Sequence, residues 1–417
     1  MMDIIVYIFS LLSLCLLFGI FYLQRSVLIF IPIVLGVLYY FPAFFDVIYG
    51  NYLYNSSVVR DANLFALYVN FNLFFISFFV YRIIGGKKKL VDIPNLNEGV
   101  GVVRFFLVIQ IISLIFLLYA VYVATNGNIL SYSWATKHES GGGGVGFLIS
   151  SYLFIVSSGV LFLSWYFNYK KVFLLSICLV IFYIILIRSR GFIVPVLMVF
   201  GFYYLVWRGK ILGSFLFGFL FLILFFFLQQ IRYLGELNNI QDMRVDVMVG
   251  NIIDKIMSED SEFSLRNSYY FFVQNYDYLV ESSGFGNFQT YRRLGFFFDI
   301  FNLGLKPKDF TNTMYIAYYG GNSSLSNPTL HPTMYGNIYA NGLYISSLIF
   351  TFLFSILIFV ENALKRKGFL IYWLVAPTFL YSCIFIARGS IYNAILILMI
   401  NILLVFLFTS IKKTKLL

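Results

Sequence analysis

The sequence predicts an all-α polytopic membrane protein, and three observations lead to this fold class. Of the 417 residues, 61% are hydrophobic and only 11% are charged, which is too little charge to cover the surface of a soluble protein. Apolar runs of about 20 residues, long enough to cross a bilayer as a helix, recur along the chain. Basic residues collect in alternate connections between these runs, as they do where cytoplasmic and external loops alternate.

Eleven apolar runs qualify as transmembrane helices. They are 4–23, 27–45, 62–81, 102–124, 147–167, 172–187, 192–206, 211–230, 336–359, 369–387 and 391–411. The runs 172–187 and 192–206 are short, which predicts little tilt or a place in the centre of the bundle. The chain then divides into an N-terminal transmembrane bundle (1–229), a long external loop with short helices (230–335) and C-terminal transmembrane helices (336–417).

The distribution of charge predicts the orientation. One set of alternate loops carries sixteen basic and three acidic residues, whereas the other set carries thirteen basic and fifteen acidic residues. The first set is cytoplasmic by the positive-inside rule, so we expect the C-terminus inside and the 230–335 loop outside. The formal net charge of +11 is explained by these loops and does not indicate nucleic-acid binding. No basic region precedes the first apolar run, which argues against a cleavable signal peptide.

The external loops favour arginine over lysine. They contain nine Arg and four Lys, whereas the cytoplasmic loops contain five Arg and eleven Lys. Four of the external arginines lie where a loop meets a span. They are Arg188, Arg190, Arg232 and Arg388. Charges at this depth are costly, and the planar guanidinium suits bidentate binding of phosphate. The alternative is an arginine that only anchors a helix end, which we favour for Arg60.

Candidates for acid–base chemistry are few. His331 lies in Asn327-Pro328-Thr329-Leu330-His331-Pro332, where the long loop approaches the membrane again, and an imidazole there is a candidate general base. The carboxylate candidates are Glu236, Asp299 and Asp309, and the aromatic neighbours of Asp299 are expected to raise its pKa. Neither the three cysteines nor any His, Asp and Glu cluster has the spacing of a metal site or a disulfide framework, so no metal or cofactor is predicted.

The composition of the long loop points to a sugar ligand. Residues 231–335 include ten Tyr and ten Phe. Aromatic rings cover the apolar faces of sugars, while amide and hydroxyl groups bond sugar hydroxyls. The segment 268–280 is apolar enough to form a helix on the membrane surface or over the bundle. Together with the arginines, the loop predicts a polyprenyl-pyrophosphate-linked sugar chain as the ligand.

The chain resembles the oligosaccharide repeat-unit polymerases of bacteria, the Wzy-type O-antigen and capsule polymerases. The likeness is carried by the many spans, by one long outer loop between late spans, and by the Arg-Ser-Arg-Gly turn at 188–191. It is also carried by Tyr335-Gly336-Asn337-Ile338-Tyr339-Ala340-Asn341-Gly342-Leu343 at the start of the next span, which is similar to that family's Asn-aromatic/small-Gly segment. The chain departs from the family in one respect, because about twelve spans with both ends inside would be usual.

The resemblance implies an inverting, C-type membrane glycosyltransferase in the bacterial cytoplasmic membrane. It would transfer a glycan from its polyprenyl pyrophosphate to a lipid-linked repeat unit at the outer surface, without a nucleotide sugar or cofactor. The pyrophosphate would lie against the four arginines at the span ends, and the general base would be His331, Asp299 or Glu236. Sugar contacts would come from Tyr335, Asn337, Arg292 and Arg293. The implied partners are the bilayer, the lipid-linked oligosaccharide and a chain-length regulator.

Three other functions share parts of this pattern. An O-antigen ligase uses the same donor with a lipid A-core acceptor. A flippase for the same lipid should carry charges deep within its spans, which the predicted spans lack. A non-catalytic scaffold for polysaccharide assembly would tolerate substitution of the arginines.

Overall fold

The computed structural model describes residues 2–84, 96–128, 132, 144–187, 190–210, 212–213, 216, 264–295, 309–320 and 329–414. These residues form helices and connecting turns, without a β-strand. The helices are α1 (Met2–Leu23), α2 (Val27–Tyr49), α3 (Ser56–Ile84), α4 (Leu96–Ala124), α5 (Val145–Tyr166), α6 (Lys170–Ile187), α7 (Ile193–Trp207), α8 (Leu265–Gln274), α9 (Tyr276–Ser283), α10 (Gln289–Gly295), α11 (Phe310–Tyr319), α12 (Thr333–Ala340), α13 (Leu343–Lys367), α14 (Phe369–Arg388) and α15 (Ile391–Thr414).

Eight of these helices are long and apolar enough to cross a membrane, which confirms a polytopic α-helical membrane protein. They are α1 to α6, α13 and α14. Shorter apolar helices, Ile193–Trp207 and Ile391–Leu407, correspond to two more of the predicted spans. The predicted span 211–230 lies almost entirely outside the described residues. The predicted span 336–359 has the wrong boundaries, because Asn341 and Gly342 interrupt the helix and α13 begins only at Leu343.

Large apolar side chains cover the outside of the bundle. On α1, Ile5, Phe9, Leu12 and Leu16 are exposed. In a soluble protein such a surface would cause aggregation, but in a bilayer these side chains contact lipid tails, which are also apolar. The opposite face of α1 packs against α3. The apolar composition of these segments therefore explains why they form membrane-spanning helices.

The helix α14 lies at the centre of the bundle and is the most buried of the eight spans. It contacts α2, α5, α7, α12 and α15. Its Trp373 stacks on Phe162 of α5 with ring centroids 4.4 Å apart. A Cβ added at Gly159 would lie 2.9 Å from the backbone of Leu374. Small residues let membrane helices approach this closely, and dispersion then stabilises the contact.

Basic side chains join several helix ends at one end of the bundle. Lys365 Nζ donates to the carbonyl of Arg25 at 2.9 Å, and Arg366 donates to the carbonyl of Ile84 at 2.5 Å. The guanidinium of Arg25 lies over the ring of Trp207, 5.9 Å from its centroid. The α1–α2 turn, the end of α3, the end of α7 and the end of α13 therefore lie together. All carry residues of the predicted cytoplasmic set.

The described helices of the long loop lie at the other end. Arg266 of α8 makes a two-pronged ion pair with Asp46, through Nε to Oδ2 at 2.6 Å and Nη2 to Oδ1 at 3.2 Å. Tyr269 of α8 donates its hydroxyl to the carbonyl of Ala62 at 2.8 Å. Asp46 begins the predicted external loop between the spans 27–45 and 62–81, and Ala62 follows it. The helix α8 thus covers the bundle, as expected for 268–280, and it does so by ion pairing and hydrogen bonding as well as by apolar contact.

One acidic residue is buried at the basic end of the bundle. The predicted span ends at 359, two residues before Glu361, but α13 continues to Lys367 and Glu361 is fully buried. Its carboxylate accepts hydrogen bonds from the Ser26 hydroxyl at 2.5 Å and the Val27 amide at 2.9 Å. Further donors are the side chains of Tyr81, Tyr372 and Lys365. This carboxylate fastens the α1–α2 turn to α3, α13 and α14.

Candidate functional site

The short helix α12 lies between two unusual stretches of backbone. Thr333, which begins it, has a φ of 68°, and Leu343, which follows it, has a φ of 52°. Bulky and β-branched residues seldom adopt such angles. Gly342 between them has a φ of 137°. Backbone strain of this kind costs on the order of 1–3 kcal/mol per residue and concentrates at functional sites. The segment that carried the resemblance is therefore a strained connection rather than the start of a regular span.

Two buried asparagines hold α12 in place. The Asn341 side chain donates to Thr290 Oγ1 at 3.0 Å and to the carbonyl of Asn337 at 2.9 Å, and it accepts from the Thr290 amide at 3.1 Å. The Asn337 side chain donates to the carbonyl of Gly389 at 2.8 Å. Asn341 therefore joins α12 to α10, while Asn337 joins it to the turn that follows α14. Both side chains bond protein groups in the interior.

The turn after α14 touches the start of α12. Gly389 has a φ of 102°, and a Cβ added there would lie 2.5 Å from the carbonyl oxygen of Thr333. Only glycine permits this approach. The contact places Arg388, the last residue of α14, beside the Pro332–Thr333 bend and therefore beside His331.

Arg388 and His331 influence one another electrostatically. Burial and the positive charge of Arg388 together lower the pKa of His331 from 6.5 to about 3. The imidazole is therefore neutral at neutral pH, because protonation would place a second buried positive charge beside Arg388. His331 is not tuned to act as a base near neutral pH in this state. An anion bound to Arg388 would cancel the repulsion and raise the pKa of His331.

A second arginine approaches the same turn from α10. The guanidinium of Arg293 lies over the ring of Tyr392 at 4.6 Å from its centroid, and Tyr392 follows Arg388 by four residues. Arg293 also lies 3.9 Å from the carboxylate of Asp309, with its side chain 20% exposed. The ring and the carboxylate orient the guanidinium beside the turn. We call Arg388, Arg293, His331, Thr333 and Asp309 the turn site.

Polar atoms of three residues in the turn site are buried without a hydrogen-bond partner among the residues that the structure describes, namely His331 Nδ1, Thr333 Oγ1 and Arg293 Nε. Leaving such an atom unpaired costs about 1–3 kcal/mol. A phosphate or pyrophosphate group offers oxygen acceptors for the guanidinium, the hydroxyl and a protonated ring nitrogen. The turn site therefore has the chemistry of an anion-binding site.

The turn around Arg190 lies at the same end of the bundle. Arg190–Phe192 form a 3-10 turn that leads into α7. The ring of Phe192 stacks near Tyr381, with centroids 6.5 Å apart, and Tyr381 lies two turns before Arg388 on α14. The position of the Arg190 side chain lies outside the described residues, as does all of Arg188. Arg232, Glu236 and Asp299 also lie outside them.

Tyr335 occupies the interior rather than a surface. Its hydroxyl donates to Asn70 Oδ1 at 2.8 Å, and the Asn70 amide donates to the hydroxyl of Tyr40 at 2.9 Å. Tyr40 lies in a π-turn of α2, where its carbonyl accepts from the hydroxyl of Tyr7 at 2.8 Å. Tyr335 is fully buried and Asn337 is 1% exposed. In this structure both connect α12 to neighbouring elements, and neither is open to a sugar.

Sequence reasoning singled out Arg388, Arg293, His331 and Asp309. The structure pairs Arg388 with His331 and Arg293 with Asp309. Sequence reasoning missed Thr333 and Tyr392. The only sequence feature that could have indicated Thr333 is its position after Pro332. No sequence feature indicates Tyr392, because its role depends on a contact with Arg293, 99 residues earlier in the chain. Arg292 lies on α10 next to Arg293 but lines a separate cavity.

The described residues bring no three His, Cys, Asp or Glu side chains together as a group that could hold a metal ion. Comparisons of the chain with other proteins add no further likeness. No protein-family model, no curated protein and no solved structure matches it.

Proposed function

We propose that this protein is an inverting glycosyltransferase that polymerises polyprenyl-pyrophosphate-linked oligosaccharide repeat units into a surface polysaccharide, at the outer face of a bacterial cytoplasmic membrane. The observation that supports it most is the turn site. Arg388 with its neutral neighbour His331, the unpaired hydroxyl of Thr333, and Arg293 lie around the turn after α14 at one end of the membrane bundle, on the side where the long loop lies. A lipid-linked pyrophosphate presents its charge at that depth.

In this proposal Arg388 and Arg293 bind the pyrophosphate of the donor. The bond between the anomeric carbon and the phosphate oxygen breaks, and the pyrophosphate leaves with the electron pair. A bond forms between that carbon and a hydroxyl oxygen of the acceptor repeat unit. The hydroxyl proton passes to a general base. Fixed guanidinium groups stabilise the charge that develops on the leaving group.

Because His331 is neutral, we assign it a role other than the general base that the sequence suggested. Its low pKa makes it a weak base before substrate binds. When an anion offsets the charge of Arg388, the imidazole can accept a proton and share it with a phosphate oxygen. The proton acceptor for the attacking hydroxyl is then a carboxylate, for which Asp309 lies in the turn site and Glu236 and Asp299 remain predictions.

The distribution of charge between the two ends of the bundle supports the orientation. Arg25, Lys365 and Arg366 gather at one end, and the turn site and α8 lie at the other. If the basic end is cytoplasmic, the turn site faces outward. The buried Glu361 does not favour a flippase, because its carboxylate is bonded to protein donors rather than open to a cavity.

The experiment is a gel of surface glycan from cells in which the gene is deleted and replaced by variants. We expect deletion to reduce the ladder to a single repeat unit. Arg388→Ala should do the same, and Arg388→Lys should restore little, since lysine lacks the planar fork. Arg60→Ala is the matched control, because Arg60 lies at the same end, 3.6 Å from Asp61 and 35% exposed.

Other outcomes identify the rival functions. Long chains that accumulate on the lipid carrier in the deletion strain would indicate a ligase, and single units trapped inside the cell would indicate a flippase. A full ladder in the Arg388→Ala strain, with normal protein levels in the membrane, would refute the assignment of Arg388 and favour a scaffold.

A further inference from the structure

A cavity of about 540 Å³ lies between α9, α10 and α11, and both polar and apolar side chains line it. Its walls mix an aromatic ring, hydroxyls, amides and one guanidinium. Among the lining residues are Tyr278, Ser282, Ser283, Gln289, Arg292 and Asn312. Pockets that hold small ligands have volumes of roughly 300–1,000 Å³. None of the residues that line it is acidic. We call it the α10 cavity.

The hydroxyls in the α10 cavity are arranged as acceptors. Ser282 Oγ donates to the carbonyl of Tyr278 at 2.9 Å, and Ser283 Oγ donates to the carbonyl of Leu279 at 2.9 Å. Because each proton is already used, each oxygen is left to accept a hydrogen bond from a ligand. Arg292, which is exposed, supplies donors on the facing wall. The cavity therefore offers both acceptors and donors for the hydrogen bonds that sugar hydroxyls form.

Gln289 adds an unpaired polar atom. Its Oε1 is buried and has no hydrogen-bond partner among the described residues. Its Nε2 packs against Gly284, where an added Cβ would lie only 3.0 Å away, and Gly284 has a φ of 76°. The glycine lets the amide come close, and the amide oxygen remains available for a hydroxyl donor.

Tyr278 and Ile316 supply apolar surface. The side chain of Tyr278 is 69% exposed and that of Ile316 is 50% exposed, and both line the cavity. An exposed aromatic ring beside amides and hydroxyls is the pattern that covers the C–H face of a sugar while bonding its hydroxyls. Phosphate alone would not need the ring.

The α10 cavity is adjacent to the turn site. Arg292 and Arg293 are consecutive on α10, and consecutive helical residues point about 100° apart. Arg293 contacts Tyr392 and Asp309, whereas Arg292 lines the cavity. Asp309 also caps α11, accepting from the Thr311 amide at 3.1 Å. The turn site and the α10 cavity therefore lie on two different faces of the same short helix.

We propose that the α10 cavity binds the oligosaccharide of the lipid-linked substrate, at sugars beyond the one attached to the pyrophosphate. The proposal rests on the proposed function for the identity of the ligand. It gives Arg292 and Tyr278 a role in holding the glycan and leaves the anionic group to Arg293 and Arg388. Binding at the cavity fixes the direction in which the chain leaves the turn site.

The test uses the full-length protein in lipid nanodiscs and two soluble probes. One is a fluorescent oligosaccharide, free of lipid and phosphate, released by mild acid from the producing strain's surface polysaccharide. The other is inorganic pyrophosphate. We expect Arg292→Ala and Tyr278→Ala each to weaken oligosaccharide binding at least tenfold and to leave pyrophosphate binding unchanged. Arg293→Ala, the neighbour on the same helix, should show the opposite pattern.

The outcomes separate this proposal from the previous one. If the wild-type protein does not bind the oligosaccharide, or if Arg292→Ala and Tyr278→Ala both bind it as the wild type does, the α10 cavity is not a glycan site. If the oligosaccharide shows the expected pattern but no variant or wild type binds pyrophosphate, the glycan site stands and the pyrophosphate assignment of the turn site fails.

Discussion

The contact between Gly389 and Thr333 can be tested by a single methyl group. Gly389→Ala places a Cβ 2.5 Å from the carbonyl oxygen of Thr333. Gly368→Ala is the matched control, because Gly368 precedes α14 as Gly389 follows it. It has a φ of 135°, and an added Cβ there meets nothing within 4 Å. Both variants strain the backbone, but only Gly389→Ala also pushes two parts of the turn site apart.

The magnitudes follow from the geometry. An L-residue with positive φ at either glycine costs on the order of 1–3 kcal/mol of stability. At Gly389 the carbonyl must also retreat by about 0.9 Å to reach the 3.4 Å of an ordinary contact. A misplacement of about 1 Å in a catalytic geometry costs roughly 100-fold in rate. We therefore expect polymerisation to slow by about two orders of magnitude in Gly389→Ala and pyrophosphate binding to weaken as well, with both unchanged in Gly368→Ala.

The assay is titration of each purified protein in nanodiscs with inorganic pyrophosphate, alongside thermal unfolding of the same samples. Unfolding temperatures should fall in both variants, which controls for general damage. Equal pyrophosphate affinity in Gly389→Ala and Gly368→Ala would show that the spacing of Thr333 and Arg388 does not matter for anion binding, and the turn site would lose its geometric basis.

Three further changes probe charges in the described residues. The pKa of His331 falls from 6.5 to about 3 on folding, so below about pH 6.5 the unfolded chain binds a proton that the folded one does not. Stability should therefore fall on acidification by about 1.4 kcal/mol per pH unit. His331→Gln should lack this component when unfolding is measured from pH 6 to 4, and parallel curves would contradict it. Glu361→Gln should cost about 1–3 kcal/mol, because an amide cannot accept from all the donors around it; an unchanged unfolding free energy would contradict this. Asp46→Asn should loosen α8 by weakening the pair with Arg266, seen as faster hydrogen exchange in 265–274, and unaltered exchange would argue that apolar packing alone holds α8.

Composition predicted the membrane helices because an apolar side chain can contact lipid without any specific partner residue. Any run of about 20 apolar residues satisfies that requirement. Charge alternation likewise placed Arg25 and Lys365 at one end, and both lie there. The position of Arg388 where a loop meets a span pointed to this residue. These inferences depend on local properties of the chain, which a sequence displays directly.

Contacts between residues that are far apart in the chain could not be predicted from the sequence. Glu361 looks like a loop residue until Ser26 and Val27 are seen to bond it. Arg292 and Arg293 look like one basic pair, but the turn of α10 sends them to two different sites. Tyr335 and Asn337 look like ligand contacts because they lie in a distinctive segment, and the structure makes them internal connectors. In each case the partner lies far along the chain, where periodicity gives no information.

The buried carboxylate of Glu361 has a consequence for how the chain is made. Glu361, which accepts the hydrogen bond of Ser26, lies 335 residues further along the chain. At about 5–20 residues per second, the ribosome needs on the order of 17–67 s to deliver it. During that time the Ser26 hydroxyl and the Val27 amide lack the carboxylate that they bond in the folded chain. We therefore expect a chain truncated before α13 to be cleaved faster by membrane proteases than the full chain.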